Sequence, residues 1–236
     1  MTLRQQRDVE CPNCGHHQNA TMWASVNVTQ NPELRNRILE RDLTAFHCEE
    51  CAFSAELAYD MLYHDMERRL LVWLVPNGEM PDDDASGVFG KLGDLGGNPY
   101  RLRIVDSMNG LIEKVRTEEA GLDDRVVEVL KALLLRHMGD TAREHGGELF
   151  FSEIESPAEG GQVIRFALVA DESVSSVTAA WQWLVRVQER CGEFLPTRDD
   201  ERESWLRVNQ EYVRTVLEPF GGADGPAFPP PDPDNG

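Results

Sequence analysis

Positive charge is scarce in this chain. Against 42 acidic residues it carries 23 basic ones, giving a formal net charge of −19 and a pI near 4.6. Lysine is rarest of all, with three in 236 residues. No basic run exceeds Arg68-Arg69. A surface of this sign stays hydrated and repels polyanions, so nucleic acid and anionic membrane are not the expected partners. Long apolar runs are lacking as well. Nothing approaches the roughly 18 consecutive apolar residues that a membrane helix requires. The segment from Met1 to Asp8 has no apolar stretch of the kind a secretion signal uses. The expected location is therefore the cytoplasm, without membrane association. A phosphate-binding loop is missing too: the glycines from Gly87 to Gly97 are followed by no Gly-Lys-Ser/Thr, and no strand feeds them into a helix. Cysteine is sparse, with five residues, and a reducing cytoplasm keeps thiols free for metal or redox chemistry.

Four of those five cysteines stand in two Cys-x-x-Cys pairs, Cys11-Pro12-Asn13-Cys14-Gly15 and Cys48-Glu49-Glu50-Cys51. Two intervening residues let both sulfurs of a pair turn toward one point. Two such turns brought together place four thiolates at the corners of a tetrahedron, the geometry of a structural zinc site. Cys11, Cys14, Cys48 and Cys51 are thus the expected metal ligands and Zn²⁺ the expected ion. Four sulfurs leave no coordination position for a substrate water, which argues against a catalytic metal. A dithiol redox switch is the alternative, because thiolates released from zinc are oxidisable. Iron–sulfur or another metal is a further option.

Hydrophobic content of 41% is enough for a real core, and the chain is long enough for one large domain or two modest ones. Residues 9–76 read as a zinc-ribbon-like antiparallel sheet module. Strands are expected at 21–28, 44–47, 52–57 and in the apolar run Leu70 to Val75, with a short helix after Asn31-Pro32-Glu33. Residues 77–98, rich in Gly and Asp, read as a linker. Residues 99–220 read as a mainly helical part. Leu102, Val105, Met108, Ile112 and Val115 recur at helical spacing, and Asp123 or Asp124 caps a second helix. Ser173 starts a third, with Val177, Trp181, Leu184 and Val187 on one side, and Arg202 to Glu218 forms a fourth. Inside this part, residues 148–169 read as one β-hairpin. Residues 221–236 read as a disordered tail. The fold class is α+β.

Other candidates are read as structural. His16, His17 and His47 flank the cysteines but are expected to be exposed turn residues. Tyr63-His64-Asp65 suggests an acid–base pair, yet no nucleophile accompanies it, and a polar turn is the expectation. Cys191 falls at an apolar helix position and should be buried and inert. Arg101 and Arg103 should pair with surface carboxylates, and Trp181 and Trp183 cannot both face inward on one helix.

Several segments in order carry a family resemblance. They are the Cys-Pro-x-Cys-Gly motif, the Ser25-Val26-Asn27-Val28 strand, Asn31-Pro32-Glu33-Leu34, the second cysteine pair, Leu62-Tyr63-His64-Asp65-Met66, Val72-Trp73-Leu74-Val75-Pro76, Tyr100 to Val105 and Gly121-Leu122-Asp123-Asp124. Together they resemble the CpXC domain family of bacteria and archaea over most of residues 9–135. The resemblance implies a fold and a metal site and carries no activity. Glu49 replaces the usual proline of the second motif, and Ala52 stands where glycine is common, so the second turn is less preorganised.

The functional expectation is a zinc-binding protein with a structural four-cysteine site, serving as an accessory or regulatory protein-interaction module. The alternative is a thiol redox-responsive zinc protein. Nucleic-acid binding is disfavoured by the charge. No residue nominates itself for catalysis, which leaves enzymatic activity unassigned.

Overall fold

The computed structural model describes residues 1–78, 100–138, 147–157, 161–170, 173–191, 195 and 205–218. The expected linker, apart from 77–78, and the expected tail lie outside the described residues. The chain divides into two compact units. One comprises Met1–Ile112 with Glu201–Leu206, the other Glu113–Asp200 with Arg207–Gly236. Strands and helices of both kinds make the fold α+β, as expected.

The first unit begins with β1 (Leu3–Glu10) and β2 (His17–Asn27), followed by α1 (Pro32–Leu39). A short hairpin follows, β3 (Ala45–His47) and β4 (Ser54–Glu56), then β5 (Met61–Asp65), β6 (Leu70–Leu74) and β7 (Arg101–Val105). Five of these strands form one sheet in the order β1-β2-β5-β6-β7, while β3 and β4 pair separately. The sheet is mixed rather than wholly antiparallel. β2 runs parallel to β5, with Asn27 opposite His64, and β6 runs parallel to β7, with Val72 opposite Arg103. All five residues of β6 are buried. An unbroken apolar run of this kind suits a central strand with both faces covered. β1 was not expected from its sequence. It is an exposed edge strand, and its Arg and Asp side chains guard that edge against stray pairing.

Residues 101–105 correct the helix expected there. Leu102 and Val105 have helical spacing, but Arg103 and Ile104 between them are buried too, and the segment pairs with Leu70–Leu74. The helix, α2 (Met108–Glu119), starts later. Gly110 therefore lies in its first turn. An added Cβ there would come within 3.1 Å of the Val105 Cβ, so glycine is what lets the turn approach the strand. The division between the units falls within α2. α1 forms where expected, with Pro32 in its first turn and Leu34 and Ile38 buried. Asn31 precedes it without capping it, and its side chain instead accepts from Thr2 at 2.8 Å. Residues 205–206 also differ from expectation. They run extended beside β7, where Ile104 N–H donates to the Leu206 carbonyl at 3.0 Å, and Trp205 packs edge-on against Trp73.

The second unit contains α3 (Asp124–His137), β8 (Glu148–Glu155), β9 (Val163–Ala170), β10 (Ser173–Ala180), α4 (Trp181–Cys191) and α5 (Gln210–Leu217). Asp123 caps α3 by accepting the Arg125 N–H. The expected hairpin is present and extends to a third antiparallel strand, in the order β10-β9-β8. Residues 173–180, expected to open a helix, form β10. Its β-branched Val174, Val177 and Thr178 favour an extended chain, and the helix itself begins only at Trp181. α5 is likewise shorter than expected, starting behind Asn209, whose side chain accepts the Tyr212 N–H. The apolar core gathers Leu122, Val126, Leu130 and Leu134 with Leu149, Phe151, Phe166, Leu184 and Val187. Among the described residues no helix is long and apolar enough to cross a membrane.

One layer of this unit is charged. Asp124, Glu128 and Lys131 follow at i, i+4 and i+7 on α3, a single helical stripe, and all are buried. Lys131 Nζ sits 2.9 Å from Glu113 and 2.8 Å from Glu128, and Lys114 Nζ lies 3.2 Å from Asp124. The second Glu113 oxygen accepts the Phe151 backbone N–H, and Lys114 donates to the Val208 carbonyl. Two of the three lysines in the whole chain are therefore buried here. The seam holds three carboxylates against two ammonium groups. Burial pushes the Glu128 carboxyl above its usual value, Lys131 pulls it down, and Glu113 pushes it up. A raised carboxyl pKa means that the folded chain holds the proton more tightly than the unfolded chain. That stabilisation is complete below the unfolded value of 4.5 and is lost as pH rises through the folded value. Glu128→Gln is expected to flatten this decline, as read by urea unfolding at a series of pH values rising from 4.5. An unchanged pH profile would show that Glu128 does not carry the excess proton.

Candidate metal centre

Both cysteine pairs sit at hairpin tips. The first joins β1 to β2 and the second joins β3 to β4. Their backbones fold alike. Cys11 N–H donates to the His16 carbonyl at 2.8 Å and Gly15 N–H to the Cys11 carbonyl at 2.9 Å. In the second turn, Cys48 N–H donates to the Phe53 carbonyl at 2.8 Å and Ala52 N–H to the Cys48 carbonyl at 3.2 Å. Each turn closes through a left-handed residue, Gly15 at φ 73° and Ala52 at φ 55°. Glycine adopts that region freely, whereas alanine costs about 1–2 kcal/mol there. The second turn is thus the more strained of the two.

The four Sγ atoms all lie within 4.8 Å of one another. Two close approaches cross between the hairpins, Cys11 to Cys51 at 3.7 Å and Cys14 to Cys48 at 3.6 Å. An ion about 2.3 Å from each of four tetrahedral sulfurs would hold them about 3.8 Å apart. A disulfide requires about 2.0 Å, and the cysteines are free thiols. Cys11, Cys14, Cys48 and Cys51 can therefore hold a metal ion together.

Electrostatics point the same way. Hydrogen bonds from the Asn13 amide and then from the Phe53 backbone lower the Cys51 thiol to about 6. Cys14 moves oppositely. A backbone hydrogen bond at His16 lowers it, but desolvation and the other three sulfurs outweigh that and push it up to about 12. Four such sulfurs cannot all ionise side by side unless a cation neutralises them. Soft thiolate donors in this arrangement suit zinc or iron.

The module around the sulfurs has little core of its own. Cys11 and Cys48 are buried with Phe46, and Val9, Ala20, Phe53 and Leu57 pack partly around them. Gln18, near the start of β2, does much of the joining. Its Nε2 donates to the His47 carbonyl and its Oε1 accepts the Glu49 N–H, both at 2.9 Å. One side chain from the first hairpin thus grips the backbone on either side of Cys48. Asn13 adds a second link, donating to the Cys51 sulfur at 3.3 Å. Sequence reasoning passed over both residues. Glutamine and asparagine near a turn carry no signal of where their amides point. Gln18→Ala is expected to weaken metal binding by about tenfold, the usual scale for a group that positions a ligand, measured by competition with a chelator. Unaltered affinity would reduce Gln18 to a surface contact.

The remaining candidates stay outside this cluster. Exposed His17 pairs with Asp8 at 2.8 Å, which raises its pKa, and exposed His47 bonds to Ser54. Tyr63-His64-Asp65 is strand rather than turn. Alternation sends His64 away from its neighbours. Its ring nitrogens meet Asn27 and Tyr100, while Asp65 accepts from Arg68. Burial lowers the His64 pKa. Arg103 is buried, and its guanidinium donates to the Leu102 carbonyl at 3.0 Å. Cys191 is fully buried as expected, and burial pushes its thiol up to about 12. Trp181 and Trp183 both pack partly against the core of the second unit.

A model of the family described as CpXC protein matches residues 9–131, more than half of the chain, and takes in all four cysteines. The chain belongs to the CpXC family. The CpXC segment runs from the end of β1 into α3, so both cysteine turns and the charged stripe Asp124, Glu128 and Lys131 fall within it. β8 to β10, α4 and α5 lie beyond it. No curated protein and no solved structure gives a significant match.

Proposed function

We propose that this CpXC protein binds one zinc ion through Cys11, Cys14, Cys48 and Cys51. The metal would staple two hairpins, and the folded module would act as an accessory or regulatory unit that binds another protein in the cytoplasm. The observation that carries the metal reading is the sulfur geometry, with cross-hairpin approaches of 3.6 and 3.7 Å among four sulfurs within 4.8 Å. When bound, the ion supplies a crosslink between β1–β2 and β3–β4 that their small shared core does not provide. A set of four sulfurs is coordinatively closed, which favours a binding role over catalysis at the metal. The acidic chain favours a protein partner over a polyanion.

Elemental analysis of the purified full chain tests the metal. About one equivalent of zinc is expected, lost in Cys48→Ser. Iron in its place, or no metal at all, would overturn the zinc reading. Affinity capture with zinc-loaded and zinc-stripped protein tests the partner, and a bound protein retained equally by both forms would detach the interaction from the metal module.

A further inference from the structure

The two cysteine turns are copies of one another in their backbone hydrogen bonds, but their sulfurs are not equivalent. Cys11 and Cys48, the first cysteine of each turn, are buried, whereas Cys51 is half-buried and Cys14 is exposed. Each of these outer sulfurs receives a backbone hydrogen bond from two residues further on, His16 for Cys14 and Phe53 for Cys51. Cys51 gains something more, the amide of Asn13 reaching across from the opposite turn. In the second turn the position corresponding to Asn13 is occupied by Glu50. An ionised carboxylate has no proton to donate to a sulfur. Among the described residues Cys51 therefore has a side-chain amide donor, while the side-chain partner of Cys14 is the Cys48 sulfur at 3.6 Å. Hydrogen bonds withdraw charge from a bound thiolate and make it a poorer nucleophile, and burial shields it from reagents. Burial spares Cys11 and Cys48, the Asn13 amide spares Cys51, and neither protects Cys14.

We propose that Cys14 is the corner at which this metal centre reacts, so that peroxide or an electrophile attacks the zinc-bound protein there first. The inference rests on the zinc reading above and adds an entry point for chemical regulation of the site. With peroxide, the Cys14 thiolate takes one oxygen to become a sulfenic acid, and hydroxide leaves. The Cys48 thiolate, whose sulfur lies 3.6 Å away, then attacks the Cys14 sulfur and expels a second hydroxide. Two sulfurs have given up two electrons, peroxide has been reduced, and one disulfide joins the two turns. Zinc left with two thiolates is released, and a dithiol reductant restores the site.

The test uses the zinc-loaded full chain, pulsed with N-ethylmaleimide or with hydrogen peroxide. Each cysteine is followed by mass spectrometry and zinc by a chromophoric chelator. Cys14 is expected to be modified ahead of the other three, and peroxide to yield a Cys14–Cys48 disulfide with stoichiometric zinc release. Asn13→Ala should bring Cys51 closer to Cys14 in rate. Glu50→Asn, which places an amide where the first turn has one, should slow Cys14. A single hydrogen bond accounts for about a three- to tenfold change in either direction. Modification of all four cysteines at one rate, first attack at Cys51, or a Glu50→Asn chain indistinguishable from the parent would each overturn the assignment. Absence of zinc from the unmodified chain would instead defeat the zinc reading itself, so the two failures are distinct.

Discussion

Replacing Lys131 with methionine is expected to destabilise the second unit by about 3–5 kcal/mol, the scale seen when one partner of a buried ion pair is removed. The ammonium group is almost inaccessible, at 2% exposure. It is bracketed by Glu113 at 2.9 Å and Glu128 at 2.8 Å, with the Phe150 ring at 5.5 Å. Methionine fills much of the same space but leaves two carboxyl groups facing each other away from water. One or both must take up a proton, or the helices must part. Lys131→Arg should fail too. The compact ammonium has three donors to divide between two carboxylates, while a guanidinium is larger and planar. Adding Glu128→Gln to the methionine variant removes one of the stranded charges and should recover part of the loss. Glu113 is not replaceable on the same terms, because its second oxygen holds the Phe151 backbone N–H. A buried N–H left without an acceptor costs about 1–3 kcal/mol. Urea unfolding of the single and double variants measures all of this. A Lys131→Met chain as stable as the parent would show that the seam contributes no net stability.

Stripping the metal is expected to unfold both cysteine turns and the β3–β4 hairpin. That hairpin has three residues in each strand, too few to stand alone in water. Its core is Phe46 with Cys48 and a few partly buried neighbours, so a common ion is expected to hold the two turns. Structural zinc contributes on the order of 10 kcal/mol in small modules of this type. In the stripped state the four crowded sulfurs cannot all be ionised, and the strain at Ala52 loses its compensation. Hydrogen exchange gives the readout. The amides of Cys11, Gly15, Cys48 and Ala52, whose bonds close the turns, should lose protection on chelation, while those of β8 to β10 keep theirs. Zinc restores protection, and acid weakens its binding because protons compete for the thiolates. Protected turn amides after complete removal of metal would mean that the module folds on its apolar contacts.

The sequence by itself marked the four cysteines that come together, because the Cys-x-x-Cys spacing is a local constraint that a few backbone hydrogen bonds satisfy. It also determined α1, the central strand over Leu70–Leu74 and the buried Cys191, and it narrowed the cap of α3 to Asp123 or Asp124. Each depends on neighbours close along the chain or on an unbroken apolar pattern. Tertiary structure decided the rest. Residues 101–105 and 173–180 carry apolar spacings that fit a helix and a strand equally well, and pairing with β6 and β9 selected the strand. Parallel registry in the first sheet arises from crossovers that no local pattern encodes. The charged stripe on α3 is buried because Glu113 and Lys114 on α2 meet it, a pairing that no local pattern encodes. Gln18 and Asn13 gained their roles the same way. A side-chain amide acquires a function from the backbone or sulfur that folding brings to it, about thirty residues or more away along the chain.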